Sequence, residues 1–347
     1  MTNIKWGNYP LLAQSTNATI WLQIQADLKL ARNTVDAYGR AVNDFFSVCE
    51  QLAVPPETAK REHVAAYVQE LSQRPLARAK EHQAPIGLAN ATLQQRLTAV
   101  RLFFDHLVEA GMRRDNPVGR GRYVAGKGFG GARERGLIPR YRKLPWIPND
   151  DEWRTILVAA QDEPLRNRLM LAFSYDAALR REELCSLTVA DIDPSQRLLR
   201  IRAETTKSRW ERVVPYLSET GTLLTAYLRH RKLLSRQSGA LFLSESRRNH
   251  AQPISIWSWS KIIRRLAERT GLSRFTTHTT RHLCLTDLAR AGWDIHEIAR
   301  FAGHRSIQTT LNYIHLSGRE LAAKLDASMS SVHAWRVRLI TEVSIEA

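Results

Sequence analysis

Five short segments of the chain carry residues whose types suit attack on a phosphodiester: AALRREEL (177–184), TTKSRW (205–210), HTTRH (278–282), AGH (302–304) and TTLNYIH (309–315). In chain order they supply Arg180, Lys207, His278 with Arg281, His304 and Tyr313. A phosphodiester resists cleavage because the nucleophile approaches a negatively charged group and charge then grows on the non-bridging oxygens. Arginine suits that task, since its planar, permanently charged fork donates two hydrogen bonds where lysine offers a point charge. Arg180 and Arg281, about a hundred residues apart on separate expected helices, could form a clamp assembled by folding.

Glu183, three residues after Arg180, would share its helical face and orient the guanidinium. His278 and Arg281 have the same spacing near a helix start, so both could address one phosphate, the imidazole exchanging protons near neutral pH. In Ala302-Gly303-His304, a glycine C-cap would end one helix and present His304 in the next turn. Tyr313 lies nine residues on, among the apolar Ile307, Leu311 and Ile314. A lone tyrosine in such a helix is ordinarily a core residue; only the other groups argue for a nucleophile.

The elements that must position these residues divide the 347-residue chain in two. Apolar positions recur at three- and four-residue spacing from 15 to 110, which predicts four or five helices packed as a bundle. Asn33 or Thr34 is the expected cap of the second helix, and Pro55-Pro56 a break before a helix over about 57–73. Residues 75–87 read as a polar loop. After Pro117 the composition turns glycine-rich and basic, with Glu134 the only acid between 119 and 143, as expected of an interdomain linker able to follow a phosphate backbone. Helical periodicity resumes near 149, then changes to alternation in 196–204 and 209–216, a β-hairpin with Lys207 at its tip. Helices are expected at about 219–234, 255–270, 280–291, 294–302 and 306–315. The fold class is mainly α with a small antiparallel sheet, in domains spanning 1–116 and 149–318, a linker over 117–148 and a C-terminal tail over 319–347.

Lys plus Arg number 51 against 34 acids, a net charge of +17, which predicts a polyanionic partner, nucleic acid before an anionic membrane. With no apolar run of about 20 residues and no signal pattern, a soluble cytoplasmic protein is expected. Cys49, Cys185 and Cys284 are scattered without metal-ligand spacing and read as buried thiols rather than disulfides or a zinc site.

Taken together the segments resemble the tyrosine recombinase, or phage integrase, family. Its pattern is an A/G-x-R-x-x-E-L box, a hairpin lysine, H-x-x-R, a Gly-His pair and a tyrosine about nine residues on. The chain matches at Arg180, Glu183 and Leu184, at Lys207, at His278 and Arg281, at Gly303 and His304, and at Tyr313. The match is strong over roughly 149–317; the N-terminal bundle resembles the family's core-binding domain more loosely. Ala177-Ala178 stands where Thr-Gly is common, Ala302 where Leu is usual, and the linker is longer and richer in Gly and Arg; no functional group is lost.

The resemblance implies that Tyr313 attacks the scissile phosphate to leave a 3′-phosphotyrosyl enzyme and a free 5′-hydroxyl, conserving bond energy so that no ATP is needed. Arg180 and Arg281, helped by His304, would stabilise the phosphorane, with Glu183 supporting. Lys207 would protonate the leaving 5′ oxygen, and His278 would assist proton transfer at the tyrosine. No cofactor and no metal ion are expected, because the arginines already supply positive charge. The implied partner is double-stranded DNA with inverted-repeat core sites, bound by a homotetramer that is a monomer or weak dimer when free, accessory proteins being unspecified. Residues 319–335, with Leu321 and Leu325, could pass to a neighbouring protomer or dock within their own.

A bundle starting near residue 15 would leave no room for a separate arm-binding domain, which is therefore not expected, and the 70 or so residues between Lys207 and His278 would leave none for an integron-type insertion. An integrase or transposase of a mobile element is the favoured task. Chromosome or plasmid dimer resolution, a type IB topoisomerase and a DNA-binding regulator without activity are the alternatives.

Overall fold

The computed structural model describes residues 4–75, 87–118, 138, 145–206, 208–311, 325 and 327. The chain divides into two compact units, Met1–Arg142 and Lys143–Ala347.

In the first unit, α1 (Pro10–Gln14), α2 (Thr16–Asp27), α3 (Arg32–Gln51), α4 (Arg61–Gln73) and α5 (Asn90–Glu109) follow a short 3-10 turn at Trp6–Asn8. The α3 sequence places Val35, Val42, Phe45, Phe46 and Cys49 on one buried stripe, the three- and four-residue spacing of a core-facing helix. Facing it, α5 buries Leu97, Val100, Phe103, Phe104 and Leu107. Phe45 meets Phe104 edge-on at 5.8 Å and Tyr67 of α4 at 5.3 Å, so the core is aromatic. Each such side chain contributes about 2–3 kcal/mol by leaving water.

Three expectations for this unit are corrected. The bundle begins well before residue 15: Ile4, Tyr9 and Leu12 are buried in its core. Neither Asn33 nor Thr34 caps α3, which starts at Arg32 after Ala31 without a side-chain cap; the apolar stripe, not local capping, sets that end. The helix expected from about 57 begins at Arg61, because extended backbone at Ala59 and Lys60 separates it from a 3-10 turn at Pro56–Thr58. Most of the loop expected over 75–87 lies outside the described residues.

The second unit holds α6 (Asp150–Ala160), α7 (Leu165–Asp176) and α8 (Arg181–Cys185), then strands β1 (Ile192–Asp193), β2 (Leu198–Ile201) and β3 (Arg212–Pro215). Next come α9 (Ser218–Leu234), α10 (Ile256–Arg269), α11 (Thr279–Arg290), α12 (Ile295–Ala302) and α13 (Ile307–Leu311). Local chemistry sets two starts. Asn149 and Glu152 cap α6 reciprocally at 2.9 and 2.8 Å, and Asp294 and Glu297 do the same for α12. The hairpin of β2 and β3 gains β1 as a third antiparallel strand, in the order β1-β2-β3. Leu199, Ile201 and Val214 turn inward to a core shared with Phe173, Tyr227, Phe242 and Trp259. All three cysteines are buried and reduced, and burial pushes each thiol up to about 12. No described helix is long and apolar enough to cross a membrane.

Candidate active site

Arg180 is not inside a helix, as its spacing from Glu183 had implied; it is the extended residue before α8, with φ −72° and ψ 153°. That position lets Glu183 fold back on it twice. The Arg180 backbone N–H donates to Glu183 Oε2 at 3.0 Å, and its Nη1 donates to Oε1 at 2.7 Å. One carboxylate thus caps the helix and orients the guanidinium.

Glu183 is 1% exposed and has a second partner that sequence reading missed. Arg212, on β3, donates through Nη2 to Oε2 at 2.7 Å and through Nη1 to Oε1 at 3.2 Å. Its Nε donates to the carbonyl of Phe301 at 3.1 Å, which ties β3 to the end of α12. Burial alone would raise the Glu183 pKa; the hydrogen bonds and charge of Arg212, with Arg180, instead hold it down to about 2. Nothing local in RWERVVPY marks Arg212 as that partner, because the contact spans 29 residues and needs the sheet to form.

Gly303 caps α12 in the left-handed conformation, φ 65° and ψ 45°, and His304 follows it. A Cβ on Gly303 would stand 2.9 Å from Arg212 Nη1 and 3.1 Å from its Cδ. Gly303 therefore serves both the turn and the approach of Arg212. We expect Gly303→Ala to destabilise the protein by about 1–2 kcal/mol through the left-handed penalty alone, with a further cost from displacing Arg212. Thermal unfolding checks this, and an unchanged midpoint would show that the turn can relax.

Arg281, on α11, is 1% exposed. Its Nη1 donates to the carbonyl of Ala178, and its Nη2 to that of Ala302 at 2.6 Å and to His304 Nε2 at 2.8 Å. Ala178 has φ 46°, a left-handed conformation that a non-glycine residue holds only at a cost; its carbonyl is a partner of Arg281 and its methyl is buried with Cys284, Leu285, Ile298 and Ala302. A guanidinium cannot accept a hydrogen bond, so Nε2 of His304 is the acceptor and its Nδ1–H donates to Thr310 Oγ1 at 2.9 Å. Burial, then the charges of Arg281, Arg180 and Arg212, lower the His304 pKa to about 3, so it is neutral at pH 7. His304 was expected to help Arg180 and Arg281 stabilise the phosphorane; here its Nε2 lone pair faces Arg281.

His278 is the exposed N-cap residue of α11, three residues before buried Arg281, so the two do not present alike. Loss of hydration and then the cations Arg181, Arg281 and Arg180 lower its pKa against the opposing charge of Glu182. The fold thus gathers Arg180, Glu183, Arg281 and His304, with His278 within electrostatic reach; Lys207 and Tyr313 lie outside the described residues.

Beside this cluster runs a groove of about 960 Å³ that sequence reading also missed, lined by Arg181, Lys261, Arg264, Trp257 and Thr277 among others. Trp257, Lys261 and Arg264 lie four and three residues apart on α10, one outward face. Arg181 joins this groove to the Arg180 turn through Ser260 Oγ at 3.2 Å.

The phage integrase family model matches residues 149–320, and the phage integrase N-terminal SAM-like domain matches 21–111. The chain belongs to the phage integrase family of tyrosine recombinases. A tyrosine recombinase XerC of Thermodesulfovibrio yellowstonii is 26% identical over 306 residues, covering 85% of this chain and 90% of that protein. Transposase A of transposon Tn554 from Staphylococcus aureus is 32% identical over 164 residues, 45% of each chain. Among solved structures, the Tn1549 transposon integrase in complex with transposon right-end DNA superposes with a TM-score of 0.64 at 18% identity, covering 92% of this chain and 98% of that one. It has the same fold, mainly helical with a small antiparallel sheet.

Proposed function

We propose that the protein cuts and rejoins duplex DNA at specific sites through a 3′-phosphotyrosyl intermediate, with Tyr313 as nucleophile. The observation that carries this reading is the chain of contacts Arg180–Glu183–Arg212 and Arg281–His304, which concentrates fixed positive charge on three elements around a single neutral imidazole. Preorganised cations stabilise the charge that grows on a phosphorane without reorganising during the reaction. Arg180, its side chain 18% exposed, can meet a phosphate oxygen directly. Arg281 contributes its field and holds His304. Lys207 protonates the departing 5′ oxygen and His278 assists proton transfer at the tyrosine.

The test uses a nicked duplex carrying a repeat from the DNA flanking the coding sequence, so that religation is blocked. Wild-type protein should form a covalent adduct that survives denaturation. Lys207→Ala should slow this step on an ordinary phosphodiester and recover when a bridging 5′-sulfur provides a better leaving group. Absence of any adduct across the flanking repeats would overturn the reading.

On this reading residues 1–116 form a SAM-like DNA-binding domain, 149–318 the catalytic domain and 117–148 the linker. Two inverted-repeat core sites would be held by a homotetramer, the tail 319–347 docking on a neighbouring protomer. The XerC relative and the Tn554 transposase leave both dimer resolution and transposition in view; the strongly basic chain favours a mobile element. The outward face of α10 follows the phosphate backbone or a groove edge. Lys261→Ala and Arg264→Ala should each reduce the slope of log affinity against log salt by about one if the contact is to phosphate, as read from binding isotherms at several salt concentrations. An unchanged slope would remove this face from the interface.

A further inference from the structure

Trp210 is 63% exposed, belongs to no core cluster and lies two residues before Arg212 on the connection between β2 and β3. The guanidinium of Arg305, the residue after His304, lies 5.9 Å from the centre of its ring, within the reach of a cation–π contact. We propose that Trp210 is a positioning residue for strand cleavage, its indole and Arg305 holding the connection that carries Lys207 against the turn that carries His304. The inference rests on the phosphotyrosyl reading above.

On that reading Lys207 and the Arg281–His304 pair act on one phosphate, yet Lys207 and His304 stand about a hundred residues apart in the chain. The connection is ordered from within: Arg209 N–H donates to Thr206 O at 3.2 Å, Ser208 Oγ to Thr206 Oγ1 at 3.3 Å, and Thr206 Oγ1 to Trp210 O at 3.4 Å. Thr206 and Ser208 are buried, so the residues flanking position 207 are anchored. Such bonds shape the connection but do not attach it to the His304 turn. Arg212 makes that attachment at the base, through Phe301 O and Glu183. Arg209, with φ 53°, turns the chain before Trp210, and Trp210 with Arg305 supplies a second attachment farther along. Two attachments fix an orientation where one permits a swing. Small misplacements of a catalytic group are costly, on the order of 100-fold for about 1 Å.

The experiment measures covalent-adduct formation by the full chain on the nicked repeat duplex, once with an ordinary phosphodiester and once with a bridging 5′-sulfur that does not need the general acid. Trp210→Ala should slow the ordinary substrate about fivefold or more, while its rate on the sulfur substrate stays near that of wild type. Trp210→Phe, which keeps an aromatic face, should retain most of the rate on both. Equal slowing on both substrates would overturn the inference and assign Trp210 to DNA binding or folding. No slowing on either would overturn it as well. Failure of wild type to form an adduct on either substrate would overturn the phosphotyrosyl reading itself, which keeps the two failures apart.

Discussion

Replacing Tyr313 by phenylalanine is expected to leave duplex binding unchanged and to abolish the covalent protein–DNA adduct. The substitution removes one oxygen and keeps the ring, so any packing of the side chain is retained while the only nucleophilic atom is lost. Duplex affinity should survive because it comes largely from Lys and Arg contacts to many phosphates, consistent with a net charge of +17. Binding is read from a gel shift and the adduct from a denaturing gel with the nicked duplex. The loss should be complete within detection, since the remaining groups stabilise a transition state that no longer has an attacking atom. An adduct formed by the Phe variant would mean that another residue is the nucleophile, and the reading of Tyr313 would be wrong.

The second large effect is on stability. Glu183→Ala should destabilise the protein by about 3–5 kcal/mol, because it leaves guanidinium charge buried without its carboxylate. The side chain of Arg212 is only 8% exposed, so water cannot replace the lost partner there. In a unit spanning Lys143–Ala347 this corresponds to a midpoint lowered on the order of 10 °C. Glu183→Gln, which keeps one acceptor oxygen but not the charge, should fall between. Cleavage should fail in both variants beyond the loss of folded protein, since Arg180 loses the group that orients it. A change below about 1 kcal/mol for Glu183→Ala would show that the arginines find other partners.

Acid should have a related effect. Glu183 has a folded pKa of about 2, below the ordinary 4.5, so its contribution is complete above pH 4.5 and is lost as pH falls toward 2. His304 is also depressed, from 6.5 to about 3. The unfolded chain therefore binds its proton first, and stability begins to decline already below pH 6.5. Denaturant titrations across this range should show a gradual loss followed by a steeper one.

Much of the fold was legible because its causes are local. Repeating apolar positions defined α2, α3 and α5 and placed the starts of α6 and α12, which the structure shows to be held by the reciprocal caps Asn149–Glu152 and Asp294–Glu297. The change from a helical to an alternating period located β2 and β3, and Gly303 marked the end of α12. Where cause was not local, reading failed. The start of α3 follows from packing, as its first residues offer no cap; residues 4–14 join the bundle through Tyr9 and Leu12, whose burial no short window predicts.

For the site, residue types alone pointed to phosphodiester chemistry, because a fork-shaped cation, a proton donor and a hydroxyl nucleophile can be named wherever they occur in the chain. Glu183 was also legible beside Arg180, their carboxylate and guanidinium being three residues apart. Tertiary structure decided the rest: that Glu183 is shared with Arg212, that Arg281 is buried against the carbonyls of Ala178 and Ala302, and that His304 is held neutral with its Nε2 lone pair toward Arg281. Those properties depend on distance and dielectric between residues 20 to 100 positions apart, quantities that exist only once the chain has packed and excluded water.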